Sequence, residues 1–178
     1  PYDPYSAEKL WKRIKIPPAP ALSPEEAIKS FKLAPGFRIE LVAAEPLVVD
    51  PIMFEFDPDG RIWAVEFRGW MLDIDGSGEG DPIGKVVVLE DTDGDTVMDR
   101  STVFLDKLVM PRTVSFVEGG VLIAEPPNLW YCRDTDGDLK CDSKKLVGNY
   151  GRPGNPEHTD NGLMHGIDNW MHSADSGS

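Results

Sequence analysis

DGRIWAVE, residues 59–66, decides how the rest of the chain is read, because it recurs. EGGVLIAE (118–125) and DNWMHSAD (168–175) superimpose on it without gaps. Each copy opens on an acidic residue and a turn former, runs through apolar or small positions, and ends on a carboxylate: Glu66, Glu125 or Asp175. That pattern is a turn leading into a strand. Another β-like stretch precedes each copy (IMFEF, TVSFV and GLMHGI), so every unit contains a hairpin of consecutive strands. After the first two copies, VVVLEDTDGD and NLWYCRDTDGD add a strand that enters an Asp-rich turn.

The two Asp-rich turns, DTDGDTVMD from Asp91 and DTDGDLKCD from Asp134, lie 43 positions apart. Four-stranded sheets repeated every ~40 to 50 residues are the signature of a β-propeller. The predicted fold is therefore all-β, a β-propeller preceded by a short helical N-terminal arm. Residues 1–35 form the arm: AEKLWKRIK as one short helix, IPPAPA as a Pro-rich linker, and SPEEAIKSF as a second helix. Ser23 is its expected N-cap, Pro24 its first helical residue, and Glu26 completes a capping box. Residues 36–178 form the β domain, with FRIELVA as its first strand-like run. They amount to about three blades of a propeller expected to have six, within the four to eight at which propellers close. The chain ends in SADSGS directly after a predicted strand. The expectation is thus the N-terminal half of a larger propeller, whose open edge and apolar face require the remainder of the propeller or a partner chain.

Composition narrows the partners. The 178 residues carry 18 basic against 31 acidic side chains, a formal charge of −13. That balance argues against nucleic acid or anionic lipid as the main partner and suits cations or neutral substrates. No apolar run approaches the ~20 residues that span a bilayer, and a chain opening at Pro1 without a signal peptide is expected to be a processed one. The two cysteines, Cys132 and Cys141, bracket the second Asp-rich turn in CRDTDGDLKC. A disulfide between them would staple that loop and implies an oxidising compartment, hence a periplasmic or secreted location. Two unpaired thiols are the alternative.

Carboxylates at alternating positions of a tight loop suit a hard, oxygen-seeking cation such as Ca2+. Asp91, Asp93, Asp95 and Asp99 supply them in the first turn, and Asp134, Asp136, Asp138 and Asp142 in the second. The helix-flanked calcium loop needs Gly at its sixth position and a bidentate Glu at its twelfth. Thr96 and Thr102 stand there in one copy, Leu139 and Lys145 in the other. An Asx-rich turn held by side-chain to backbone bonds is the competing reading. DIDGSGEGD (73–81) reads as a flexible loop.

His158, His165 and His172 recur at intervals of seven. Pro156, Gly162 and Gly166 oppose a helix, and in a strand an odd interval flips the face, so a three-His zinc site is not expected. His158 stands apart in the polar loop NPEHTDNG, where it is a candidate general base. If the repeated strands are inner ones, their terminal carboxylates would converge on a central channel to bind a cation or raise one another's pKa. Carboxylates that merely end strands in solvent are the alternative. Glu66 and Arg68 share a strand face and form a candidate ion pair. CxxCH, a P-loop, a GxGxxG after a strand and GxSxG are all missing, which leaves haem attachment and nucleotide binding without support.

LSPEEAIKSFKLAPGFRIELVAAEPLVVDP, FDPDGRIWAVEFRGW, KVVVLEDTDGD with TVFLDKL, and NPEHTDNGLMHGIDNWMHSA resemble, in that order, the membrane-bound dehydrogenase domain of planctomycete-type bacteria. That domain is similar to soluble glucose and sorbosone dehydrogenase propellers that use pyrroloquinoline quinone (PQQ). The resemblance covers residues 22–176. It implies oxidation of a sugar or alcohol with hydride transfer to PQQ, His158 taking the hydroxyl proton, and Asn161, Gly162, Gly166, Asp168 and Trp170 following in register. It also implies that Asn161, Arg112, Glu66, Arg68 and Glu125 lie near substrate or cofactor. By the same resemblance the residues that hold PQQ and its calcium belong to later blades, and a cytochrome c accepts the electrons. His165 and His172 depart from the family, where aromatic residues are common. Two other readings stand beside the dehydrogenase: a calcium-binding propeller scaffold in an extracytoplasmic assembly, attached to any membrane through a partner, and a calcium-dependent propeller hydrolase or lactonase.

Overall fold

The computed structural model describes residues 20–151 and 160–174. The chain divides into two compact units, Pro1–Leu41 and Val42–Ser178. The first contains helix α1 (Pro24–Ser30). Its N-terminal amides are capped as the sequence requires: Ser23 Oγ accepts the Glu26 N–H at 3.2 Å, and the Glu26 carboxylate accepts the Ser23 N–H at 3.1 Å. Acidic Glu25 and Glu26 occupy the first turn and Lys29 the last, each sign matching the helix dipole. The helix expected at AEKLWKRIK lies outside the described residues.

Among its described residues the second unit holds ten strands in three antiparallel sheets. Sheet one runs β1 (Pro51–Phe56), β2 (Ile62–Glu66), β3 (Gly84–Glu90) and β4 (Arg100–Leu108), in sequence order. Sheet two repeats that order with β5 (Thr113–Val117), β6 (Gly120–Glu125), β7 (Asn128–Arg133) and β8 (Ser143–Asn149). Sheet three pairs β9 (Asn161–His165) with β10 (Met171–Ala174). The all-β expectation holds for this unit. FRIELVA is a correction: residues 37–43 pair with no strand. Beyond Leu41, the Val42 carbonyl accepts a single bond from the Met98 N–H, so the run lacks the ladder that a strand needs.

The repeated hairpin turn has a backbone cause. Gly60 (φ +83°), Gly119 (φ +72°) and Asn169 (φ +63°) occupy equivalent positions in the three copies, and all are left-handed. Glycine and asparagine enter that region at least cost, which is why the turn former recurs. The copies are spaced more widely than the Asp-rich turns because the β2–β3 connection takes residues 67–83, whereas β6–β7 needs only 126 and 127.

Strands β2 and β3 are nearly continuous apolar runs and are buried on both faces. On one face, Trp63, Val65, Val86, Val88 and Phe104 of sheet one meet Val114, Val121, Ile123 and Cys132 of sheet two. Trp63 is the centre of that layer, with its ring 4.5 Å from Phe104 and 5.3 Å, edge to face, from Phe116. Sheet two in turn packs on sheet three through Ala124, Leu122 and Leu129 against Leu163 and Met171, with Tyr150, just after β8, in the same cluster. The remaining face of sheet one is covered by Val48, Ala43 and Met98 at one side. Phe54 and Phe56 stay 59% and 58% exposed there, beside a cavity of about 380 Å³.

Trp63→Ala removes the ring that joins the first two sheets and is expected to cost about 3–5 kcal/mol. Both sheets should unfold in one transition, followed by urea denaturation with circular dichroism. Trp63→Phe keeps an aromatic ring in the layer but loses the indole N–H to Asp57 and part of the ring volume, for which about 1–3 kcal/mol is expected.

Candidate functional site

Alternation of strand direction gives the stacked sheets two ends. One end carries the hairpin turns 57–61, 118–119 and 166–170 together with the Asp-rich connections 91–99 and 134–142. The other carries connections 67–83, 109–112 and 126–127, and it is where the chain leaves β8 and enters β9.

At the first end the Asp-rich turns are internally locked. Asp91 accepts the N–H groups of Gly94 and Thr96 at 2.7 and 2.8 Å, and Asp134 those of Gly137 and Leu139 at 2.7 and 2.9 Å. Asp99 and Asp142 close the loops by accepting from the N–H and hydroxyl of Thr92 and Thr135. The bonds from Thr96 and Gly94 hold the Asp91 carboxyl below the usual range. For Asp134 burial pushes upward, but the Gly137 and Leu139 amides outweigh it. The Thr135 hydroxyl and amide lower Asp142 likewise. Thus Asx-turn bonding is present in both loops, and it does not consume every oxygen. Carboxylate oxygens of Asp91, Asp93 and Asp99, and of Asp134, Asp136 and Asp138, still converge within 4.8 Å in each group. Such all-oxygen sets fit a hard cation of the calcium class.

Cys132 and Cys141 stand as two unbonded thiols in hydrogen-bonding contact, placed so that oxidation could join them. Asp134 and Asp142 close the loop in their own right, and the Cys141 N–H is tied to the Phe104 carbonyl of β4 at 2.9 Å. Burial first, and then neighbouring Cys141, push the Cys132 thiol far up, so it stays protonated.

At the second end stand the carboxylates that close the repeat. Glu66 is fully buried; it accepts the Val49 N–H at 2.8 Å and the Arg68 Nε–H at 2.7 Å. Glu125 repeats the arrangement, accepting the Val109 N–H and the Trp130 indole N–H, both at 2.7 Å. Each acid clamps the segment that leads into the first strand of its own sheet. The ion pair expected between Glu66 and Arg68 is present. Glu66 and Glu125 are each engaged by donors of their own repeat rather than standing free toward a channel, and Asp175 lies outside the described residues.

Arg112 lies at the same end, buried, with its Cζ 4.8 Å from the Phe67 ring centre. Tyr150 is beside it; burial, then Asp160, push that phenol up to about 12, and its hydroxyl donates to the Gly162 carbonyl at 2.7 Å. Asn161 is exposed, and its side chain accepts from the Gly162 N–H. His158 lies outside the described residues. His165 and His172 sit on β9 and β10 opposite Met171 and Met164, and Asp168 holds the His172 ring at 3.1 Å. Glu55 was missed by the sequence reading. It is partly buried on β1, one oxygen has no hydrogen-bond partner among the described residues, and burial raises its pKa. Its place in IMFEF, a charge within an apolar strand, was the available signal.

A family model described as a domain of unknown function (DUF7133) matches residues 23–178. The chain belongs to the DUF7133 family. No curated protein matches it. The DUF7133 match takes in both Asp-rich turns, both cysteines, Arg112 and the carboxylate clamps.

Three predictions follow from the first end. Carboxylates whose folded pKa is depressed contribute stability above their unfolded values, near pH 4, and lose it as pH falls through the folded values. The unfolding midpoint should therefore be flat above about pH 5 and drop below about pH 4, less steeply in Asp134→Asn. In chelator Asp134→Ala should lower the midpoint while Asp136→Ala leaves it unchanged; any rise caused by added Ca2+ should be lost in both. Thiol labelling of the native protein should modify Cys141 first, with Cys132 reacting only on unfolding.

Proposed function

We propose that the chain supplies blades of a β-propeller in a quinoprotein-like dehydrogenase that oxidises a sugar or alcohol outside the cytoplasm. Support for the propeller comes from residue equivalence between sheets. Val114, Phe116, Val121 and Ile123 of sheet two line the layer against sheet one. Their counterparts by cross-strand register are Phe54, Phe56, Ile62 and Ala64. These form the opposite face of sheet one, so it is made to receive another sheet, as a ring of blades demands.

The observation that carries the functional reading is the division between the ends. The locked Asp-rich turns at one end leave the loop-bearing end for chemistry, and there the buried Arg112 lies near Tyr150, the residue that follows β8. Within that connection His158 is the proposed general base, taking the proton of the substrate hydroxyl. PQQ would supply the hydride acceptor and a cytochrome c the electron outlet. The described residues do not by themselves fit PQQ with its calcium, because the convergent carboxylates all lie at the end opposite Arg112. No step is therefore drawn through that cofactor. Glu66, Arg68 and Glu125 act as positioning residues, holding the connections that frame the site.

A calcium-binding scaffold is the second reading, favoured by the two Asp-rich turns and the exposed Phe54 and Phe56. The hydrolase or lactonase reading has less support, since Glu66 and Glu125 already accept two donors each.

Dye reduction by the longest expressible protein, with PQQ, Ca2+ and a panel of sugars and alcohols, tests the proposal. Turnover that falls by about 10²-fold or more in His158→Ala is the expected result. No turnover, together with a calcium-dependent rise in stability, would instead favour the scaffold.

A further inference from the structure

Beneath the two Asp-rich turns the repeat keeps a contact and changes its chemistry. Under the first turn, Leu89 of β3 and Met98 are buried in one apolar cluster. The positions 43 residues further on hold Cys132 and Cys141. Cys132 is fully buried on β7, Cys141 is half-buried, and the two thiols are in hydrogen-bonding contact. An apolar pair in the first copy is thus a pair that oxidation can join in the second.

The reduced pair is complete as it stands. Cys141 packs against the cluster shared by sheets one and two, its thiol donates to the Ser143 carbonyl at 3.3 Å, and its N–H donates to the Phe104 carbonyl. Asp134 and Asp142 hold the loop whether or not the sulfurs are bonded. Folding therefore does not require the bond, unlike in small domains whose core is too weak without one. What the bond adds is a closed ring over residues 132–141. Leu139 and Cys141, which pack at the seam between the sheets, would then be fixed covalently to β7.

We propose that Cys132 and Cys141 form a reversible redox latch, which fastens the second Asp-rich turn to the seam between sheets one and two. The oxidant is a small-molecule disulfide. Cys141, the more accessible partner, loses its proton and attacks one sulfur of that disulfide, giving a mixed disulfide and releasing the first small thiol. Cys132 then attacks the Cys141 sulfur, and its proton leaves with the second small thiol. Two electrons have passed to the oxidant, and excess thiol runs both steps backwards. Burial of Cys132 makes the closing step the slow one. The latch needs neither PQQ nor a bound cation, so it stands apart from the oxidoreductase reading and survives its failure.

The test equilibrates the folded, purified chain with oxidised and reduced glutathione at set ratios, in the presence of chelator. On oxidation the intact mass should fall by two hydrogens, and peptide mapping should join Cys132 to Cys141. The unfolding midpoint should rise by about 5 °C or more and return with excess dithiothreitol. Amide hydrogen exchange at Leu139 and Cys141 should slow, while Thr96 and Met98, at the matching positions of the first turn, stay unchanged. Cys141→Ala should fold and lose every response. A glutathione adduct on Cys141 that never closes onto Cys132, a bond that forms only in denaturant, or a cross-link between chains would each overturn the proposal. So would a midpoint rise that persists in Cys141→Ala, or a closed bond that alters neither midpoint nor exchange. Were Cys141→Ala to fail to fold, the first-turn amides of the wild-type chain would still serve as the internal control.

Discussion

The burial of Trp63 is the contact on which the rest of the second unit depends. Its ring joins Phe104 of its own sheet to Phe116 of the next, so two sheets share one apolar layer. An indole buried that deeply must find an acceptor for its N–H, and Asp57 provides it at 3.0 Å. Asp57 is then itself a buried charge. Burial would raise its pKa, but Arg61 and Trp63 hydrogen bonds hold it below the usual range. The Asp59 and Arg61 amides bond the same carboxylate and fix the turn that contains left-handed Gly60. A hydrophobic requirement in the core thus dictates the polar composition of a surface hairpin.

The opposite end of each second strand obeys a matching rule. Glu66 and Glu125 are too buried to be left unpaired, and each reaches back to a backbone amide ahead of the sheet, that of Val49 or Val109. Charge-assisted bonds are stronger in this low-dielectric setting than in water, and they fix where the incoming chain begins its first strand. One repeat therefore consists of strand, left-handed turn, strand and carboxylate clamp. The clamp also explains why acids that look catalytic in the sequence are not free: each already accepts one backbone and one side-chain donor.

Strand identity was legible wherever burial on both faces demanded an uninterrupted apolar run, as in IWAVE and KVVVLE. Turn position was equally legible, because Gly60, Gly119 and Asn169 answer a backbone need rather than a packing one. FRIELVA misled because it has strand-like composition without a partner ladder, and pairing is not a local property. Cysteine spacing measures only the opportunity for a disulfide, and the loop that the two thiols bracket is also closed by Asp134 and Asp142. The burial of Arg112 against Phe67 could not be read from MPRTV, since that contact belongs to the three-dimensional arrangement.

The two ends differ in what they allow to vary. Both Asp-rich connections, 91–99 and 134–142, have the same length and nearly the same bonds, because Asp at the first and ninth positions must meet the backbone at fixed spacing. A loop so constrained can hold a cation but has little room to reshape around a substrate. At the other end the connections range from residues 126–127 to residues 67–83, while the clamps keep the strand ends still. Variable loops on a rigid frame are where binding sites are usually built. The repeat thus separates constraint from freedom along the strand axis: the Asp-rich turns are fixed by their own backbone bonds, and at the other end buried carboxylates, each held by one backbone and one side-chain donor, keep the frame still beneath connections of very different length.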